Sequence, residues 1–364
     1  MVYIDDFVQK NMEWVKPGNY SKNNVDRIGE ILRGNKKLEY SQEQLEAFNT
    51  FNNWRASHAY PLHIIMKNIK KISLSICPEA ICVQRLKRVK SIIIKLNRFP
   101  EMKLSRIEDI GGCRIVMPNV DLARKLMEQY ISKNKRHKRI KSREKNYINY
   151  PKPDGYRSIH LVYSYYSINK VGEVFNGKII EIQIRSKLQH VWATALETVD
   201  LFSHQRIKFG SGDPNWKYFF RLVSSAFALM EKCPAVYGTP SDKKELYEEI
   251  KKIEKELNVR ERMVAWRSTV QNLSNKKDSL FVLKLDMKNK QISYNAFKND
   301  RDGWAKANED FSLEERNNQG NKDCDVILVG ADSIKELTDG YRNYFADTEE
   351  FLKNLKLIID YQHQ

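Results

Sequence analysis

The spacing of apolar positions changes several times along the chain, and each change predicts an element. Asn53–Lys71 carries apolar residues at helical spacing, with Pro61 forcing a break or a helix start nearby. The rest of the first 75 residues also reads as helical. Glu79–Arg98 reads as one further helix, stopped at Phe99-Pro100. Ile110–Met117 is an apolar, β-rich run bounded by Pro118, which predicts a buried strand. Val120–Ser132 reads as helix and Pro151–Gly155 as a rigid loop. Ile159–Ile168 and Lys178–Arg185 read as strands. In the second of these, Ile180, Ile182 and Ile184 face one side, and Glu181, Gln183 and Arg185 the other.

Ser186–Gln205 and Trp216–Lys232 read as helices, and Pro234–Pro240 as a boundary. Asp242–Ser274 reads as one long charged helix. A hairpin follows, Leu280–Leu285 and Gln291–Phe297 around a turn at Asp286–Lys290. A helix near Trp304–Glu315, a strand at Val326–Val329 and a final helix from Ser333 complete a small ββαβα module. The expected segments are therefore 1–75 (helical), 76–235 (mixed α and β), 236–275 (a connecting helix) and 276–364 (a C-terminal module), an α+β chain overall.

Composition narrows the function classes. No run of about 18 apolar residues is present, so no membrane span is expected. The first residues have neither a basic start nor an apolar core, so no signal peptide is read there and the expected compartment is the cytoplasm. Cys77, Cys82, Cys113, Cys233 and Cys324 are scattered, without zinc-ligand spacing, and read as reduced thiols. The net charge of +17 is concentrated. Residues 61–210 hold 30 Lys/Arg against 12 Asp/Glu, whereas residues 241–364 hold 22 against 24. A basic excess confined to one segment suits a polyanion such as nucleotide phosphate or RNA.

Four stretches inside that segment bear chemistry. Arg85, Lys87 and Lys95 lie on the stretch read as a basic helix, whose start can hold Arg85 and Lys87 against phosphates. Asp109 stands just before Gly111-Gly112 and a buried strand that carries Arg114; a carboxylate there can hold Mg²⁺ or simply cap a turn. A loop brings Tyr156 beside Lys152, Arg157 and His160, so a ring that can stack on a base sits among cations that can meet phosphates. Glu181, Gln183 and Arg185 share the polar face of a strand, with His190 shortly beyond; a carboxylate there can serve as base or metal ligand, or can simply be solvated.

Taken together, their order and spacing resemble the synthetase domain of the RelA/SpoT family, over about residues 55–235. Arg85, Lys87, Ser91 and Lys95 match one motif and Asp109 a second. Tyr147, Pro151, Lys152, Gly155, Tyr156, Ser158 and His160 match a third, and Glu181, Gln183, Arg185 and His190 a fourth. The resemblance implies a mixed-sheet, nucleotidyltransferase-like domain flanked by helices. It implies transfer of the β,γ-pyrophosphate of ATP to a 3′-hydroxyl, with release of AMP. In that reading Arg85, Lys87, Lys95, Arg114, Lys145 and Lys152 bind ATP, and Asp109 and Glu181 bind Mg²⁺. Glu181 also activates the hydroxyl and His160 helps to orient it, while Tyr156, Gln183, Arg185 and His190 lie on the acceptor side. The His-Asp dipeptide of the family's hydrolase domain is absent, so no alarmone hydrolysis is expected.

Two acceptors fit the resemblance: GDP or GTP, giving an alarmone, and the 3′ end of tRNA, as used by toxic small members. The basic run 133–145 suits the second. The acidic tail resembles that of the CapRel group, toxins fused to their own antitoxin, in which a Tyr-x-x-Tyr element blocks the ATP site until a phage protein binds. Tyr341 and Tyr344 match that spacing, although with Phe345, Thr348, Phe351, Leu352 and Leu355 they also form an ordinary buried helical stripe. The leading expectation is thus a self-inhibited, tRNA-modifying defence enzyme. A guanosine-nucleotide synthetase and a non-catalytic nucleotide or RNA sensor are the alternatives.

Overall fold

The computed structural model describes residues 14–33, 42–203, 212–273, 279–286, 289, 291–318, 321, 324–331, 334, 338 and 344–361. Its contacts separate into two compact units. One comprises residues up to Tyr147 together with Ser158–Ser186, the other Ile148–Arg157 together with Lys187 onward.

The first unit is a mixed sheet with helices. Its strands are β1 (Ile81–Leu86), β2 (Gly111–Met117), β3 (Lys138–Arg139), β4 (Lys145–Asn146), β5 (Ile159–Ser164) and β6 (Ile179–Ser186), in the order β1-β2-β6-β5-β3, with β4 also on β5. Only β2 and β6 run parallel; the other pairs in this sheet are antiparallel. The helices are α1 (Lys22–Leu32), α2 (Gln42–Ala56), α3 (Ala59–Ile76), α4 (Val89–Arg98) and α5 (Val120–Lys133). Helices α3 and α5 cover the face formed by Ile180, Ile182 and Ile184, all fully buried, as their period-two spacing predicts. Gly111 permits this close approach, because a Cβ there would lie 2.6 Å from Ile180 Cδ1.

The second unit contains the loop 148–157, α6 (Lys187–Ser203), α7 (Pro214–Met230), α8 (Lys243–Leu257), α9 (Val259–Leu273), the antiparallel sheet β8-β7-β9, α10 (Arg301–Asn317) and α11 (Tyr344–Ile359). The strands are β7 (Ser279–Asp286), β8 (Gln291–Lys298) and β9 (Cys324–Gly330). One apolar core runs from Trp192 and Phe202 through Trp216, Phe220 and Trp266 to Phe351.

Two elements differ from the sequence reading. The helix expected over Glu79–Arg98 is strand β1 followed by α4, because residues 81–86 pair with β2 about thirty residues away, and that pairing overrides local spacing. The single helix expected over Asp242–Ser274 is α8 and α9, divided by Asn258 at φ 49° and ψ 46°. Asparagine tolerates this left-handed conformation, and the break lets Ile250 and Trp266 enter the same core. The hairpin, the following helix and the strand of the small module form as expected. The compact units cut across the expected segments. Residues 76–147 and 158–186 belong to the first unit, whereas 148–157, 187–235 and the C-terminal helix share the second.

Candidate active site

Register assembles most of the expected residues of the first unit on one face of its sheet. Arg85 lies opposite Gly112, and Gly112 opposite Glu181. One step along, Arg114 lies opposite Gln183, Gln183 opposite His160, and His160 opposite Lys145. Residues in register share a face, so Arg85, Arg114, Lys145, His160, Glu181, Gln183 and Arg185 come together although they lie up to a hundred positions apart. Gly112 puts no side chain between Arg85 and Glu181; a Cβ there would meet nothing closer than the Arg85 carbonyl at 4.0 Å.

Glu181 is only 7% exposed, so this face is not the ordinary solvated one. His160 Nδ1 stands 2.8 Å from Glu181 Oε1, and Gln183 Nε2 donates to Oε2 at 2.7 Å. Arg185, itself buried, donates to Gln183 Oε1 at 3.0 Å. The chain His160–Glu181–Gln183–Arg185 thus fixes both carboxylate oxygens. Burial pushes the Glu181 carboxyl up, but the hydrogen bond and charge of His160, helped by Gln183, outweigh burial and the opposing Asp109, and hold it below its ordinary value.

Asp109 precedes β2. Lys87 Nζ, from the link between β1 and α4, lies 2.6 Å from one of its oxygens, and Lys95 Nζ, from α4, lies 3.0 Å from the other. Burial opposes ionisation here too, but the two ammonium groups prevail, so the carboxyl is held far below the usual range. Burial lowers the Lys87 ammonium in turn, with Lys95 and Arg85 adding repulsion that Asp109 only partly offsets. Arg85 and Lys87 do not stand at a helix start as expected: Arg85 is on β1, and Lys87 precedes α4.

Other expected residues belong to the second unit. Lys152 Nζ sits 5.0 Å above the Tyr156 ring. Arg157 is not a phosphate-facing cation. It is 4% exposed, and its donors go to Ser224 Oγ at 3.0 Å and to the carbonyls of Ile148 at 3.2 Å and Pro234 at 2.6 Å, because its side chain anchors the loop on α7. His190 is buried on α6, and Tyr344 is 1% exposed and belongs to the core. Tyr344 therefore follows the alternative, packing reading of its stripe. Tyr341 lies outside the described residues.

With the geometry in place, comparison with known proteins points one way. Residues 84–201 match the family model described as the region found in RelA / SpoT proteins. These residues carry a RelA/SpoT synthetase region. The chain is 34% identical over 117 residues to GTP pyrophosphokinase YwaC and 35% identical over 112 residues to GTP pyrophosphokinase YjbM, both of Bacillus subtilis (strain 168). Each alignment covers 30% of this chain, with 52% and 51% of the respective relatives. The chain thus spans about half the length of the curated relatives it matches. Among solved structures, small alarmone synthetase 1 from Bacillus subtilis superposes with a TM-score of 0.43 at 22% identity, over 50% of this chain and 93% of that one. Small alarmone synthetase 2 from the same organism gives 0.42 at 19%, over 50% and 94%.

The RelA/SpoT region contains every expected site residue from Arg85 to His190, and its matched span ends before α7. Lys187 and Asp347 were missed by sequence reasoning. Asp347 stands three residues after Tyr344 and four before Phe351, an acid in an apolar stripe, which was the available signal. No helix among the described residues is long and apolar enough to cross a membrane, and the five cysteines are free thiols.

Proposed function

We propose that the chain transfers the β,γ-pyrophosphate of ATP to a 3′-hydroxyl. The observation that carries this reading is Glu181: a buried carboxylate held ionised by His160, on a sheet face otherwise rich in cations and within the RelA/SpoT region. Phosphoryl-group transfer needs little covalent help from a protein; it needs the phosphates held, their charge offset and the nucleophile aimed. Arg85, Arg114, Lys145 and Lys152 supply charge for the phosphates. Lys87 and Lys95, on flexible stems, can exchange Asp109 for phosphate oxygens. Glu181 takes the proton of the attacking hydroxyl, His160 fixes the carboxylate that receives it, and Tyr156 stacks on the acceptor base.

Among the described residues no group of three or more His, Cys, Asp or Glu side chains is placed to hold a metal. Two carboxylates with hard oxygens do suit Mg²⁺, which binds through one or two carboxylates with substrate phosphates and water completing the shell. Asp109 and Glu181, whose negative charges oppose one another, are those groups. Such an ion would offset charge on the phosphates.

For the acceptor we favour the tRNA 3′ end. Lys133, Lys135, Arg136, Lys138, Lys141 and Lys145 are all exposed, a strip suited to a long phosphate backbone. GDP or GTP is the second reading, favoured by the names of the two curated relatives. Control by the C-terminal residues, with relief by a phage protein, rests on the resemblance and on Tyr341. Tyr341→Ala should turn a tolerated protein into one that arrests growth on expression; a harmless, fully expressed variant removes that part of the reading. Incubation with γ-labelled ATP and either tRNA or GDP separates the acceptors. If the wild type and the Tyr341→Ala protein both bind ATP intact and label neither acceptor, the chain is a nucleotide or RNA sensor.

A further inference from the structure

A carboxylate taken fully out of water needs cationic partners, and Asp347 on the first turn of α11 has found two. It is 0% exposed. Lys187 Nζ lies 2.5 Å from its Oδ1, and His190 Nε2 lies 3.0 Å from its Oδ2. Burial would push the carboxyl up, but His190 and Lys187 together outweigh it and hold the group below its ordinary range. The N-terminus of α11 also favours a negative charge there. Both partners come from the first turn of α6, immediately after the strand that bears Glu181.

The same stretch of α6 seats the Tyr156 loop. Gly155 and Arg157 line a small cavity with Gln189 and Trp192 of α6 and Ser224 of α7. A Cβ on Gly155 would lie 3.1 Å from Trp192 Cζ2 and 3.0 Å from Ser224 Cβ, so the loop backbone sits directly on these helices. Gly155, before Tyr156, thus rests on the helix whose His190 and Lys187 are held by Asp347, while Arg157, after it, is anchored on α7. Release of α11 is not an easy alternative: Phe351 packs at 6.4 Å from Phe220 and 6.0 Å from Phe227, and Leu355 and Ile358 are buried beside it.

We infer that Asp347 is a positioning residue: from the C-terminal helix it fixes the His190 imidazole and the Lys187 ammonium on α6 beside the Tyr156 loop, and so sets the acceptor side of the site. The kinetic part of this inference rests on the pyrophosphate-transfer reading; the hold of Asp347 on His190 does not.

The test uses full-length protein with Asp347→Asn, Asp347→Glu, His190→Gln and the Asp347→Asn/His190→Gln double variant. Asp347 of α11 lies 3.0 Å from His190 Nε2 and also pairs with Lys187 of α6, so removing the carboxylate withdraws a partner that favours imidazolium and leaves the Lys187 ammonium without its offset. His190 followed by NMR should then titrate about one pH unit lower or more in Asp347→Asn. The KM for the acceptor should rise roughly tenfold with kcat and the KM for ATP little changed. Asp347→Glu should recover part of the loss, and Asp347→Asn should cost less in the His190→Gln background than in the wild type. An unchanged His190 titration, equal rises in both KM values, additive variants or a faster Asp347→Asn enzyme would each overturn the inference. If Asp347→Asn does not fold, Asp347→Glu and His190→Gln must show the same acceptor-selective loss. If neither the wild type nor the Tyr341→Ala protein uses an acceptor, the transfer reading fails, and the His190 titration alone decides whether Asp347 controls that ring.

Discussion

Glu181 illustrates how one residue's meaning depends on its neighbours. The alternation of Ile180, Ile182 and Ile184 with Glu181, Gln183 and Arg185 put it on a strand's second face, and that much was legible in the sequence. Local sequence does not say that Glu181 is also buried, because the His160 that meets it comes from another strand. Two consequences are testable. Glu181→Gln keeps the shape and removes the proton acceptor; transfer should fall by on the order of 10² to 10⁴, measured as AMP release, with little change in the thermal midpoint. His160→Ala removes the group that holds the carboxyl down. Burial and Asp109 then push the Glu181 pKa up, so the acid side of the pH–rate profile should move to higher pH. An unmoved acid limb would separate His160 from the ionisation of Glu181.

At the scale of elements, the strands and helices with strong periodicity were readable, and the misread ones had non-local causes. Residues 81–86 carry no clear strand signal; their β2 partner decides them. Asn258 is a plausible helix residue until the core below demands a turn, and its positive φ is the sign of that demand. Asn258→Gly should leave stability unchanged or slightly raised, whereas Asn258→Val should cost about 1–2 kcal/mol in urea denaturation. The loop 148–157 was legible as a Pro/Gly loop around Tyr156, but Arg157 was read as a binding cation. Its buried bonds to Ser224, Ile148 and Pro234 make it the anchor of the loop. Arg157→Ala should cost about 2–4 kcal/mol and weaken acceptor use more than ATP use. Equal losses for the two substrates would mean that the loop does not serve the acceptor.

At the scale of the whole molecule, charge and packing give different information. The basic excess of residues 61–210 was visible in the sequence and bears on the partner. If tRNA is the acceptor, its use should fall steeply between 50 and 200 mM salt, and by much more than the use of GDP. Packing bears on how the tail can act. Residues 276–364 were read as a C-terminal module of their own, yet α11 shares a core with α6 and α7 through Tyr344, Phe351 and Leu355. Truncation before Tyr344 should therefore cost the second unit its cooperative unfolding, and should not yield an active, liberated enzyme.

Everything proposed for the site turns on pyrophosphate transfer through Glu181. Its most direct measurement incubates the full-length wild type, Tyr341→Ala and Glu181→Gln with γ-labelled ATP, Mg²⁺ and, separately, deacylated tRNA, GDP and GTP. Transfer through Glu181 predicts label in the tRNA with one AMP released per transfer, from the wild type or the Tyr341→Ala protein, and on the order of 10² to 10⁴ less from Glu181→Gln. Folded wild-type and Tyr341→Ala proteins that release no AMP with any of the three acceptors, or a Glu181→Gln protein that labels as well as its parent, would contradict it.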